Sequence, residues 1–538
     1  MSFASLRFGA LGLNILGICL LAYALSGPRP PGRRWVNLGP VESESPLRIG
    51  HQVQLLVDNE VLCDFQHVRR VMGPVRKHPQ NPVLQADQPW ERNATVMGGL
   101  QPATAMYDDS DGLYKLWYTI LQPQTFGGSG VAYATSRDGV HWSKPNLGLI
   151  EFAGEKGTNL CRLEPFGALV RGLRLVQDPR PRPSERRYLG IGVWPKHEDG
   201  TWFGGWLGVA RSSDGTTWRH MGGGVREGSG GGFPACLWDE SLQRYVLFHR
   251  QLTEIALPEQ RKRYIVRQDS VDLQSWSPRR TVFNPLNPVW PEVESMNVFR
   301  HEGVFFGLAN TLETRERGEM EIHLVISRDG YRWEEPFPDR AFIPRGPQGD
   351  FDDMLVYWAQ PILRGDRMHF YYGGARYSHG YPHEPVVDDG TSLALLPHQK
   401  GRYDPRPNRI GLATLLRDRF AGLRADEPVG AFLTRPLLVE GDMLYVNAAV
   451  DRELRVEIVN PVGEVFDAGP KDDWAGHYIS AREEVFPGFS RADCEAVTGD
   501  GLNLPVRWKA GSIGKFKGRD VRLRFLGRMA TVYAFVIK

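Results

Sequence analysis

The sequence has little of what usually identifies a function. Only 5 cysteines occur in 538 residues, and none forms a CxxC pair, so no zinc-ligand spacing can be read. Cys63, Cys161, Cys236 and Cys494 are far apart, which fits either one or two disulfides or four separate buried thiols. A charge of one sign is also missing. The 65 Lys and Arg stand against 63 Asp and Glu, without the basic excess of a nucleic-acid partner. No long stretch repeats apolar residues at helical spacing. Neither a metal nor any other cofactor is expected.

What is present is aromatic and turn-rich. The chain holds 15 Trp, 18 Tyr, 25 Phe, 60 Gly and 39 Pro, a composition of short strands joined by tight turns. Aromatics favour strands in their own right, and they also suit a ligand with flat apolar faces such as a sugar ring. Residues 8–28 carry no charge and are mostly apolar, with Arg7 before them and Arg29, Arg33 and Arg34 after. This is a targeting segment. Ala22-Tyr23-Ala24 offers a small-residue cleavage site, but the run also approaches the ~20 residues that span a bilayer. A cleaved signal peptide and an uncleaved N-terminal anchor both remain open. The rest of the chain is expected outside the cytoplasm, touching a membrane only through this segment. Nothing in the sequence sets the oligomeric state.

One pattern returns along the chain. It reads Ser136-Arg137-Asp138-Gly139-Val140-His141-Trp142, then Ser213-Asp214-Gly215-Thr216-Thr217-Trp218, then Asp272-Leu273-Gln274-Ser275-Trp276, then Ser327-Arg328-Asp329-Gly330-Tyr331-Arg332-Trp333. Arg417-Asp418-Arg419-Phe420 is a degenerate fifth copy. The steps from Asp to Asp are 76, 58, 57 and 89 residues. Such self-similarity points to a propeller or an array. Asp-Gly makes a tight turn, since Gly accepts positive φ and Asp bonds its own backbone. The following Trp is expected to pack between neighbouring sheets. The repeated Asp residues are therefore read as structural.

Short β-rich runs precede each turn, as in Leu113-Tyr114-Lys115-Leu116-Trp117-Tyr118 and Arg244-Tyr245-Val246-Leu247-Phe248-His249. Five such sets predict an all-β protein, a five-bladed β-propeller followed by a C-terminal β-sandwich. The expected divisions are a targeting segment at 1–28, a linker at 29–50, the propeller at 51–427 and the sandwich at 428–538.

This architecture resembles glycoside hydrolase family 32, whose propeller family 43 shares. More narrowly, Leu56-Val57-Asp58-Asn59, Asn81-Pro82-Val83-Leu84, Pro89-Trp90-Glu91 and Leu116-Trp117-Tyr118 look like a group of bacterial secreted family-32-like proteins. The resemblance implies two carboxyl groups flanking a glycosidic bond, one a nucleophile or base and one a protonated acid. They would converge on the central funnel from innermost strands. Gln177-Asp178-Pro179 looks like the family's Arg-Asp-Pro element, which makes Asp178 a candidate catalytic residue that binds sugar hydroxyls and stabilises the transition state. The other positions depart from the pattern. Gly98-Gly99-Leu100-Gln101-Pro102 stands where the family has its nucleophilic Asp, leaving Asp87 and Glu91 as the nearest acids. Phe233-Pro234-Ala235-Cys236 keeps the Cys but lacks the adjacent Glu, so Glu294, in Pro291-Glu292-Val293-Glu294-Ser295, becomes the candidate acid. Asp352, in Gly349-Asp350-Phe351-Asp352-Asp353, is a further candidate. Trp90, Arg250, Tyr372, Arg376 and His379 are candidates for binding the carbohydrate.

Three functions follow. One is a glycoside hydrolase using these carboxylates. The second is a carbohydrate-binding propeller without catalysis, which the two departures favour. The third is a polysaccharide lyase using Arg376, Tyr377 and His379.

Overall fold

The computed structural model describes residues 36–40, 45–92, 99–121, 130–152, 154–167, 171–194, 206–222, 224–226, 233–252, 262–313, 317–379, 407–461, 464–470, 477–482 and 484–538. Residues 8–28 lie outside these. No helix among the described residues is long and apolar enough to cross a membrane.

The described chain is nearly all strand. Five largely antiparallel blades follow one another, each built outward from its innermost strand, with Arg162–Glu164 added parallel at the outer edge of blade II. Those inner strands are Gly99–Asp108, Arg171–Leu175, Ala235–Asp239, Glu292–His301 and Leu355–Arg364 in blades I to V. Blade III shows the plan: Ala235–Asp239 pairs with Arg244–Leu252, which pairs with Arg263–Ser270, which pairs with Arg280–Phe283. Blades IV and V are continuous through the pairing of Met320 with Leu355. The outer edge of blade V is completed from far back in the sequence. Arg76–Lys77 pairs with Arg409–Leu416 and so closes the ring with residues that precede blade I.

The repeated turns form the outer corners. The carboxylate of Asp214 accepts from the backbone N–H groups of Thr216 at 2.6 Å and Thr217 at 2.8 Å, and the Ser212 hydroxyl accepts from Gly215 N at 2.8 Å. Asp138, Asp272 and Asp329 repeat this arrangement. Gly139, Gly215 and Gly330 take φ of 78, 82 and 70°, and Leu273 takes 64° at the same place in the third copy. Aromatics that follow the turns pack against their own blade or the preceding one. Trp218 meets Tyr188 with ring centroids 6.4 Å apart, Trp333 meets Phe248 at 5.6 Å, and Trp142 meets Tyr371 across the closure at 5.4 Å. In the degenerate copy Phe420 stacks on Phe306 at 4.1 Å. Asp214→Ala should cost about 1–2 kcal/mol in denaturant unfolding, because two backbone donors lose their acceptor. It should leave ligand binding unchanged.

The sandwich has its own apolar core, including Leu444, Val456, Phe525 and Ile537. It draws in strands from before residue 428, where the sequence suggests that it begins. Gln54–Leu55, Leu62–Gln66, Val68–Met72 and Ala421–Ala425 pair into it, beside Gly430–Thr434, Leu444–Val459, Val497–Val506 and Asp520–Ile537. Residues 54–72 and 421–425, expected within the propeller, thus belong to the sandwich sheet. Arg419 joins the two bodies. Its guanidinium is buried, donates to Asn447 Oδ1 at 2.8 Å and Asp500 Oδ1 at 2.5 Å, and lies 4.8 Å from the Tyr533 ring. Of the four cysteines expected to be either bridged or isolated, Cys161, Cys236 and Cys494 are buried free thiols and Cys63 is exposed.

Candidate functional site

All five inner strands run the same way through the propeller, so their first residues share one mouth and their last residues the other. At the first mouth four of the five are irregular. The pairing register shifts between Pro102 and Thr104, Arg171 and Arg174, Val293 and Ser295, and Tyr357 and Gln360. Bulges of this kind bend a strand and re-aim its side chains. The shift in blade V holds Trp358 at φ 52°, a left-handed conformation unusual for a bulky residue. Glycine is required opposite it: a Cβ on Gly373 would lie 2.2 Å from the Tyr357 ring. Trp358 consequently meets Phe233 of the non-adjacent blade III, with ring centroids 4.0 Å apart. The contact crosses the axis and plugs it.

Above the plug is a cavity of about 80 Å³ lined by Gln101, Glu294, Tyr357, Trp358, Tyr377, His379 and Asn408, with Met320 and Leu355. Its polar lining is unusual. Gln101 Oε1, Tyr357 Oη, Trp358 Nε1 and both amide atoms of Asn408 are buried and have no hydrogen-bond partner among the described residues. Buried polar groups are normally satisfied, so a cluster of open donors and acceptors around one cavity fits a ligand rich in hydroxyls. Burial raises the Tyr357 phenol well above its ordinary pKa, and nearby Tyr377 reinforces this. Tyr357 is therefore a neutral donor.

Glu294 is the cavity's one carboxylate among the described lining residues. It is 5% exposed. Arg250 Nη1 contacts Oε1, Arg263 Nε lies 3.0 Å from Oε2, and His379 Nε2 lies 3.8 Å from Oε2. Arg263 also reaches Glu292 at 2.5 Å. Burial alone would raise the pKa of Glu294, but the charges of Arg250, Arg263 and His379 outweigh it and hold the group at about 2. The sequence reading made Glu294 the protonated acid. The two arginines make it an anion instead, which suits a base, a nucleophile or a stabiliser of positive charge.

The structure brings Glu294, Arg250 and His379 together at this mouth and disperses the other candidates. Asp178 follows the end of its inner strand, at the opposite mouth. Arg180 grips its carboxylate with two bonds of 2.9 Å, and Tyr245 donates to it at 2.9 Å. Arg180 also lies 3.3 Å over the Trp238 ring. Asp178→Asn should therefore lower stability by about 1–2 kcal/mol while leaving kcat and KM unchanged; denaturant melts and kinetics on one sample separate the two.

Glu91 is 0% exposed and fully engaged. It accepts from the Asp87 and Gln88 amides at 3.1 Å, from Tyr118 Oη at 2.7 Å and from Lys144 Nζ at 2.6 Å. Asp87 shares Lys144, at 2.7 Å, and Trp90 donates to Asn159 Oδ1 at 3.0 Å. These three anchor the short helix Pro89–Arg92 to blade I and do not line the cavity. Asp352 is 1% exposed and bonds Lys77 Nζ at 2.6 Å and Tyr372 Oη at 2.8 Å. That pair fastens the ring-closing strand, so neither Asp352 nor Tyr372 lines the cavity. Arg376 lies 3.9 Å from Asp353. Sequence reasoning missed Arg263, Tyr357, Trp358 and Asn408. Gln101 was visible as the residue in the stretch where family 32 carries its Asp.

No family model matches the sequence, and no curated protein matches it. Solved structures with a similar fold include a glycoside hydrolase, at a TM-score of 0.44 and 12% identity, covering 64% of this chain and 92% of that one. A β-1,2-mannobiose phosphorylase from Listeria innocua gives 0.42 and 11%, covering 64% and 96%. An N-acetylgalactosamine deacetylase from F. plautii, in complex with blood group B trisaccharide, gives 0.41 and 16%, covering 70% and 97%. At such values the blade assignment rests on the strand pairing described above, and the residue roles rest on the local chemistry.

Proposed function

We propose that the protein binds a carbohydrate at the first mouth of the propeller and cleaves a glycosidic bond there. One observation carries this reading: an ionised, buried Glu294 stands in a cavity where Gln101, Tyr357, Trp358 and Asn408 have polar atoms without a hydrogen-bond partner among the described residues. A buried charge is expensive to maintain, and such groups concentrate at functional sites. In this reading Trp358 and Tyr377 offer aromatic surface to the sugar. Gln101, Tyr357 and Asn408 bond its hydroxyls. Glu294 faces the reacting centre, where it attacks, activates water or stabilises an oxocarbenium-like charge. We propose further that the apolar segment at 8–28 directs the chain out of the cytoplasm.

A second reading, binding without cleavage, is favoured by Glu294 being the single carboxylate among the described lining residues, since glycoside hydrolysis ordinarily uses two. A panel of oligosaccharides distinguishes them. Release of reducing sugar supports hydrolysis, saturable binding without product supports the second reading, and an unsaturated product absorbing in the ultraviolet would overturn both in favour of elimination.

A further inference from the structure

Below the Phe233–Trp358 plug lies a second cavity, of about 300 Å³, reaching the opposite mouth. Thr104, Arg174, Asn297 and Gln360 line its deep part, and Asp108, Asp178, Arg182 and Arg187 line the remainder. Arg174 sits on the inner strand of blade II and is 2% exposed. None of its three guanidinium nitrogens has a hydrogen-bond partner among the described residues, and Arg182 Nη1 is in the same condition. The nearest aromatic, Phe233, lies 5.2 Å from the guanidinium carbon.

The two carboxylates of this cavity are committed elsewhere. Asp178 is held by Arg180 and Tyr245. Asp108 accepts from Lys115 at 2.7 Å, Arg187 at 2.7 Å and Tyr188 at 2.8 Å. A guanidinium carries five donors and no acceptor, and taking it from water without a counter-charge costs several kcal/mol. The strain of burial is visible in its acidity, which desolvation pushes down to about 9. At neutral pH the group still carries its proton. A planar donor fork buried in the wall of a cavity, with all its nitrogens lacking a partner among the described residues, is suited to binding an oxyanion that settles against it.

We propose that the lower cavity is an anion site, in which Arg174, assisted by Arg182, binds an oxyanion entering from the mouth opposite the carbohydrate site. The ligand chemistry is a carboxylate, sulfate or phosphate group, either as a free ion or as the acidic substituent of a sugar. This does not depend on the glycosidase reading, because the plug and the opposed strand ends separate the two cavities.

The test is a thermal-stability and calorimetric titration of the full chain at constant ionic strength. Sodium phosphate, sodium sulfate and sodium glucuronate are the probes, with glucose as the neutral control. A ligand that binds the folded state raises the melting temperature with its concentration. Wild type should respond to at least one oxyanion and not to glucose. Response to glucuronate alone assigns an acidic sugar; response to phosphate or sulfate alone assigns a free ion. Arg174→Met should lose at least ~30-fold in affinity, and in anion-free buffer it should be as stable as wild type or more so. Arg182→Gln, further from the core, guards against misfolding of the first variant and should weaken the same titration. An absent response in wild type, or an equal response in wild type and both variants, overturns the proposal.

Discussion

Glu294→Gln will lower glycoside turnover by at least ~10³-fold, the scale of losing a principal catalytic group, and will destabilise the propeller as well. The second effect follows from the geometry. Arg250 and Arg263 share Glu294 in the interior, and neutralising it leaves cationic charge buried with less compensation. Breaking a buried pair by removing one partner typically costs about 3–5 kcal/mol. The two effects are separable. A sample that remains folded by circular dichroism and still binds oligosaccharide, yet releases no reducing sugar, supports catalysis; undiminished turnover rules out the assigned role. The acid limb gives an independent check. The folded pKa of about 2 lies below the ordinary value of 4.5. The stabilisation is thus fully present above about pH 4.5 and is lost as pH falls from there toward 2. Denaturant melts of wild type should show this loss, and Glu294→Gln should flatten it.

Asp352→Ala is the second large effect, and it concerns the ring and not the site. Its carboxylate bonds Lys77 and Tyr372, and Asn81 Nδ2 donates to Tyr372 Oη at 3.2 Å. These contacts attach the closing strand to blade V. Removing the carboxylate leaves a largely buried ammonium and a phenol without their acceptor, at a cost of about 3–5 kcal/mol. Lys77→Met in the same background should recover part of that loss, because it removes the orphaned charge. If the single variant melts like wild type, the pair is not what holds the ring.

The blades were legible because their signal is local. An Asp at the start of a tight turn and a Trp a few residues on are set by backbone chemistry, and the sequence displays both. The sandwich was half legible, since Gln54–Leu55 finds its partner at Phe535 and Ala534, a separation no local pattern announces. The site failed in a more specific way. Asp178 matched a family element by chain order, but order along the sequence does not reveal at which end of an inner strand a residue falls. Trp358 gave no hint of its left-handed turn, which arises from the bulge and from Gly373. Arg174 sits in an apolar run, where an arginine reads as a side chain bound for solvent.

The closing strand has a consequence for biosynthesis. Residues near 76 wait for residues near 413, and residues near 55 wait for those near 534. Neither body can be completed by the part of the chain that emerges first. Ribosomal synthesis proceeds from the N-terminus at ~5–20 residues per second, so the nascent chain holds unpaired edges for at least ~20 seconds before their partners exist. The final strand, Asp520–Ile537, is thus the element that lets the sandwich lock. A chain lacking that strand should keep the ring-closing pair of Arg76–Lys77 with Arg409–Leu416 and should aggregate through the open edges of an unfinished sandwich.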